Sequence, residues 1–321
     1  MPDTELMKPT LNRRRFLRQS SALLSGVLCH DALAEEKKSA EPIIDIHQHT
    51  HYHGRTDETM LKHQRAMGVT TTILLPVGQA VNRPSTHAGK SNGLAAKTGG
   101  NATVRAMAKK HPKEFVFGAN EVPDLPGMQK ELEKFLKAGA LVIGEQKFGV
   151  ACDSKHVWAV AEVAEEFGVP VLLHFQYGRY NLGIENFHRT LEKFPKVNFI
   201  GHAQTWWGNI DAKHEQKVLY PSGKVTAGGI TDKLLGNYEN MFGDLSAGSG
   251  LNALIRDEDH THGFFERHQN QLLYGSDCAD AIGRGPGCQG SRTIAAVRRN
   301  SNTKAIERKL LYANAKKLFK L

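Results

Sequence analysis

The chain has 321 residues, 40% apolar and 23% charged, with a formal net charge of +9. That balance belongs to an ordinary globular protein and argues against a disordered, collagen-like or membrane-embedded chain. No basic stripe interleaved with aromatic residues accompanies the charge, so nucleic acid is not an expected partner.

The first 34 residues read as an export signal that is removed, leaving residues 35–321 as a single domain. Asn12-Arg13-Arg14-Arg15-Phe16-Leu17-Arg18 resembles the twin-arginine signal, with Asn12 where Ser or Thr is commoner. An apolar stretch from Ser21 to Cys29 follows, too short to span a bilayer as a stable helix. Ala32-Leu33-Ala34 supplies the small-x-small site that a signal peptidase needs. The expected location is therefore periplasmic or secreted, with the twin-arginine machinery as a partner. Leu28 is too bulky for lipid attachment at Cys29, so no stable membrane anchor is expected. Cys152, Cys278 and Cys288 remain, too few for a disulfide framework; Cys278 and Cys288 either pair or stay as buried thiols.

From Glu41 onward apolar, β-prone runs alternate with amphipathic helical stretches. Strands are predicted at Pro42–Gln48, Thr70–Pro76, Glu114–Ala119, Leu141–Lys147, Val171–Gln176, Val197–Ala203, Met241–Ser246 and Gln271–Ser276. Helices are predicted at Asp57–Met67, Asn101–His111, Gly127–Ala138, His156–Phe167, Ile184–Phe194, Gly228–Tyr238 and Gly250–Arg256. Continuous hydrophobicity, as in Ile73-Leu74-Leu75, marks strands buried on both faces. Eight such strands separated by helices predict a parallel sheet closed as a (β/α)8 TIM barrel. The long connections Gly78–Gly100 and Gln204–Ile230 are expected to shape the rim of a pocket. Arg308–Leu321 is amphipathic and is expected to pack one helix face on the barrel.

Four of the predicted strands end in ligand chemistry: IIDIHQH (Ile43 to His49), VLLHFQ (Val171 to Gln176), FIGHAQ (Phe199 to Gln204) and LLYGSDC (Leu272 to Cys278). Side chains two apart on a strand share a face, so His47 and His49 can hold one ion together. With His174, His202 and Asp277 they form a nitrogen and oxygen set suited to a divalent transition metal such as zinc. Barrel sites gather at the C-terminal ends of strands, which is where these residues fall. Glu145 and Lys147 share a face at the end of strand four; either reaches the metal, or they pair with each other. One of Trp206 and Trp207 is explained by core packing, and the other could stack on a planar substrate. Arg179 and Arg284 sit where they could grip a carboxylate or phosphate, or stand as solvated surface residues. His51 and His53 extend the histidine alternation into a loop.

In order and spacing, HxH, His, GH and GSD resemble the amidohydrolase superfamily. The branch most similar is the amidohydrolase-related (amidohydrolase 2) family, which also holds decarboxylases related to aminocarboxymuconate semialdehyde decarboxylase. The ending Asn314-Ala315-Lys316-Lys317-Leu318-Phe319 is similar to the NA-x-x-LF tail of that branch. The resemblance implies that His47, His49, His174 and Asp277 bind the first metal. His202 would bind a second metal or polarise the substrate. Some superfamily members bridge two metals with a Glu or carboxylated Lys at the end of strand four, whereas the branch resembled is often mononuclear, which leaves Glu145 and Lys147 as pocket residues. One zinc-like ion is favoured over two. The implied catalytic residues are Asp277 as proton carrier and His202 as donor to an oxyanion.

A metal-dependent hydrolase of a small amide, lactone or ester is the first expectation. A metal-dependent non-oxidative decarboxylase of an aromatic or unsaturated carboxylic acid is the alternative, and a non-catalytic binding barrel is third. The sequence leaves the oligomeric state open.

Overall fold

The computed structural model describes residues 41–77 and 98–321. The export signal and most of the Gly78–Gly100 connection, on which two expectations rest, lie outside the described residues. Eight strands run in chain order: β1 (Ile44–Gln48), β2 (Thr71–Leu74), β3 (Phe115–Phe117), β4 (Ile143–Gln146), β5 (Val171–His174), β6 (Phe199–His202), β7 (Met241–Asp244) and β8 (Leu272–Leu273). All fall inside the predicted segments, and every neighbouring pair within the two ladders, β1–β3 and β4–β8, is parallel.

The ladders join into one ring. Ala119 N donates to Val142 O at 2.8 Å beside the Ala119–Ile143 bridge, linking β3 to β4. Ile46 N donates to Tyr274 O at 3.1 Å, closing β1 onto the end of β8. The result is the predicted (β/α)8 barrel.

Helices wrap the ring: α1 (Asp57–Met67), α2 (Asn101–Lys110), α3 (Met128–Leu136), α4 (Lys155–Phe167), α5 (His188–Lys193), α6 (Ala203–Gly208), α7 (Ile230–Asn237), α8 (Ala247–Ile255), α9 (Glu258–His268), α10 (Gln289–Asn300), α11 (Lys304–Arg308) and α12 (Asn314–Phe319). Helix α1 starts where Thr56 accepts from the Thr59 amide, and α4 starts at Ser154 in the same way, each satisfying an orphan N–H. Gly68 and Gly168 end these two helices in the left-handed conformation that only glycine adopts without cost.

Two apolar layers hold the barrel. The outer layer packs strand residues such as Leu74, Leu173 and Phe199 against the helices. The inner layer gathers Ile44, Ile46, Ile73, Leu172, Ile200 and Leu273, together with Ala315 and Phe319 of α12. The amphipathic C-terminus therefore packs on the barrel as expected, although a π-helical turn at Lys309–Ala313 precedes α12.

Candidate metal centre

The register of β1 shifts between Asp45 and Gln48. Below the shift Ile44 and Ile46 join the inner apolar layer; above it His47 and His49 turn to the site. On the opposite side β5 and β6 pair in register, with His174 directly across from His202. The backbone leaves three strands through left-handed non-glycine residues, Ala203 (φ 80°), Ala247 (φ 62°) and Asp277 (φ 42°). Such conformations are costly and persist where the surroundings over-determine them, characteristically around active sites. Asp277 is fixed there by its amide, which donates to His47 O at 2.8 Å.

The tautomers follow from the partners. His49 Nδ1 donates to the carbonyl of Leu75 at 2.8 Å, and His47 Nδ1 donates to Asp244 Oδ2 at 2.7 Å. Both Nε2 atoms are then left with bare lone pairs, and they face each other at 3.1 Å. With both rings neutral, two lone pairs so placed repel; the proton that His47 draws, or a metal cation in its place, relieves this. Carboxylates complete the cage. Glu145 Oε2 lies 3.6 and 3.4 Å from the Nε2 atoms of His47 and His49, and Asp277 Oδ1 lies 3.9 and 3.6 Å from them. Among the described residues, Glu145 Oε2, Asp277 Oδ1 and His202 Nε2 are buried without a hydrogen-bond partner. Buried polar atoms are otherwise almost always paired, so these orphans and the opposed nitrogens fit a divalent cation.

The electrostatics agree. Burial alone would lower the pKa of His47, yet the charges of Asp277 and Asp244 outweigh it and hold that ring well above its ordinary value. The field that attracts a proton there attracts a metal ion equally. Asp244 is fully buried, which would raise its pKa, but His47 and His202 hold it below the usual carboxylate range. Burial also opposes ionisation of Glu145, and Lys147 and His174 overcome it. His174 itself is lowered to about 4, by burial first and then by Lys147, so it is neutral near pH 7.

The expected residues arrive in modified roles. His174 Nδ1 donates to Glu145 Oε1 at 2.5 Å, so Glu145 stands against the His47–His49 pair and His174 stands behind it. His202 Nδ1 donates to Ser246 Oγ at 3.0 Å and approaches Asp244 Oδ2 at 3.2 Å. Its Nε2 therefore carries a lone pair 3.7 Å from Asp277 Oδ2, which suits it to accept a proton or bind a cation. Donation to an oxyanion from neutral His202 is not available in this tautomer. Lys147 lines the cavity, its ammonium 5.7 Å from the Tyr180 ring centroid.

The substrate contacts left open for one of the two tryptophans and for the two arginines are not made. Trp206 and Trp207 are both core: Trp206 stacks with Phe175, and Trp207 donates to Asp244 O at 2.8 Å. Arg179 is exposed, and Arg284 lines a different cavity beside Met67. The cavity over the centre, about 420 Å³, is lined instead by Tyr52, Lys147, Gln204, Tyr220 and Gln289 together with His174, His202 and Asp277. Gln204 and Tyr220 come from the long connection after β6, which shapes the rim as expected. The sequence reading did not single out Asp244, Ser246 or Tyr52. Asp244 closes β7 as Asp277 follows β8, and that position was the available signal.

No family model and no curated protein matches the sequence. Solved structures do. An uncharacterized TIM-barrel protein from Bordetella bronchiseptica matches at 15% identity and a TM-score of 0.59, over 87% of this chain and 98% of that one. A candidate 2-pyrone-4,6-dicarboxylic acid hydrolase from Pseudomonas putida matches at 15% identity and TM-score 0.57, over 87% and 97%. A dihydroxybenzoic acid decarboxylase from Polaromonas sp. JS666, with bound manganese and the inhibitor 2-nitroresorcinol, matches at 15% identity and TM-score 0.54, over 88% and 97%. At such identity the likeness establishes the fold alone: the chain is a TIM barrel of the shape these proteins share.

Proposed function

We propose that this protein is a metal-dependent hydrolase of the amidohydrolase-related family, opening a small amide, lactone or ester. The observation that carries the reading is the opposed Nε2 pair of His47 and His49, closed by Glu145 and Asp277 under a cavity of enzyme-site size. His47, His49, Glu145 and Asp277 would hold one zinc-like ion, with His174 orienting Glu145. His202 stands at the edge where a second ion would sit. A divalent cation bound there polarises a carbonyl and acidifies water.

The chain's own residues then divide the work. Asp277 Oδ2 and His202 Nε2, 3.7 Å apart, take up the proton of the attacking water and return it to the leaving group. Asp244 and Ser246 hold His202 in the tautomer that can accept that proton. Lys147, at the cavity wall, favours a substrate with a carboxylate or similar anionic group.

The second reading, a non-oxidative decarboxylase, draws on the same lysine, because a carboxylate held beside the cation is what that reaction needs. The manganese-bound decarboxylase of the same fold supports keeping it. A panel of lactones, amides, esters and aromatic acids, each followed for ring opening and for released carbon dioxide, separates the two. Asp277→Asn is expected to abolish turnover of the responsive substrate while circular dichroism stays native. Activity within a few-fold of wild type would remove Asp277 from the chemistry. For location we propose twin-arginine export; unchanged processing after replacing Arg13 and Arg14 by Lys would contradict it.

A further inference from the structure

We propose a second cation site, for a thiophilic ion of the zinc class, formed by His63, Cys278 and Cys288. It is separate from the histidine–carboxylate centre and rests on different atoms. His63 lies on α1, Cys278 follows Asp277, and Cys288 is the residue at which α10 begins. All three are buried, and their donor atoms lie within 4.8 Å of one another. Cys278 Sγ and Cys288 Sγ are 3.8 Å apart, and Cys288 Sγ is 3.4 Å from His63 Nε2. Zinc–sulfur and zinc–nitrogen bonds of about 2.3 and 2.0–2.1 Å at tetrahedral angles require ligand separations of roughly 3.8 and 3.5 Å. Two of the three separations therefore already match the edges of a zinc tetrahedron, and the third, Cys278 to His63, lies within 4.8 Å.

The surroundings are built for sulfur chemistry. Met67, one helical turn after His63 and so on the same face of α1, brings its Sδ to 3.7 Å from Cys288 Sγ. Room for that thioether exists because position 290 is glycine; a Cβ there would lie 2.7 Å from Met67 Sδ. Two thiols, an imidazole and a neighbouring thioether select a thiophilic ion over the hard cations that carboxylates prefer. Among the described residues His63 Nδ1 has no partner, so the ring's polar contact is the one with sulfur. An ion here would tie α1 and the start of α10 to the residue next to Asp277, making the site a clamp on the catalytic loop.

Cobalt(II) tests this with a signal that the other centre cannot give, because only thiolate ligation produces an intense near-ultraviolet charge-transfer band. The full chain is purified, stripped of metal under reducing conditions and titrated with cobalt in a His47→Ala/His49→Ala background. The band is expected to saturate at one equivalent, to vanish in Cys288→Ser and to weaken in His63→Gln. Zinc should raise the thermal midpoint of the same double variant and displace the cobalt. Absence of the band with all thiols titrating as free overturns the proposal, as does an undiminished band in Cys288→Ser. If a serine variant fails to fold, the zinc-induced shift of the double variant decides alone: no shift refutes the site. A result against the histidine–carboxylate centre would leave this band in place, so the two readings fail separately.

Discussion

Asp244→Asn is the substitution that most sharply probes how the centre is held. Oδ2 of Asp244 accepts from His47 Nδ1 at 2.7 Å and from Ser246 Oγ at 2.7 Å, and lies 3.2 Å from His202 Nδ1. Oδ1 accepts from the Ser246 amide at 3.0 Å. Asparagine keeps the shape but replaces one acceptor oxygen by a donor NH2. Placed towards the rings, that group faces N–H with N–H and pushes the proton of His47 onto Nε2, the atom that faces His49. Placed towards Ser246, it loses the amide bond and leaves two rings competing for a weaker neutral acceptor. Loss of one carboxylate behind a ligating histidine costs about 10–100-fold in metal affinity. Asp244 supports both His47 and His202, so the upper end is expected, about 2.7 kcal/mol. Competition with a chromophoric chelator measures the affinity, and circular dichroism checks the fold. Affinity within threefold of wild type in a folded variant would refute the role given to Asp244 and weaken the ligand assignment of His47.

Two further expectations concern the frame. Phe319, 4% exposed and packed with the inner strand residues, should cost about 3–5 kcal/mol when changed to Ala; a loss below about 1 kcal/mol in denaturant titration would deny α12 its place in the inner core. Asp232 is partly buried, which opposes ionisation, but His268 and Arg267 hold its pKa at about 2 against the ordinary 3.8. A depressed carboxylate stabilises above its unfolded value and loses that contribution as pH falls through its folded value. The gap in thermal midpoint between wild type and Asp232→Asn should therefore narrow as pH falls from 3.8 towards about 2; a constant gap would show that the ion pairs contribute nothing.

The strands were legible because parallel barrel strands are apolar on both faces, and such runs stand out in Ile43–Ile46, Ile73–Leu75 and Val171–Leu173. Helices α6, α9 and α10 were not. Helix α9 is crowded with His, Asp, Glu and Arg and buries few apolar side chains, chiefly Phe264 and Phe265. Helix α6 begins directly at His202, so strand and helix share one apolar run, and Trp206 and Trp207 resembled pocket residues. The burial of Trp206 depends on Gly201: a Cβ there would lie 2.4 Å from its ring, a close approach that only the fold reveals. At the site, HxH and the strand-end His and Asp could be read from spacing alone. The exchange of position between Glu145 and His174 could not, because it rests on which atom of each side chain faces the pair from β1.

The central claim is that His47 and His49 face each other across a metal ion. Elemental analysis of protein purified without chelator, beside a His47→Ala/His49→Ala variant of native circular dichroism, tests it most directly. The histidine–carboxylate centre predicts one divalent ion per chain lost in the variant, over and above any ion retained by Cys278 and Cys288. Equal metal content in the two proteins would contradict it.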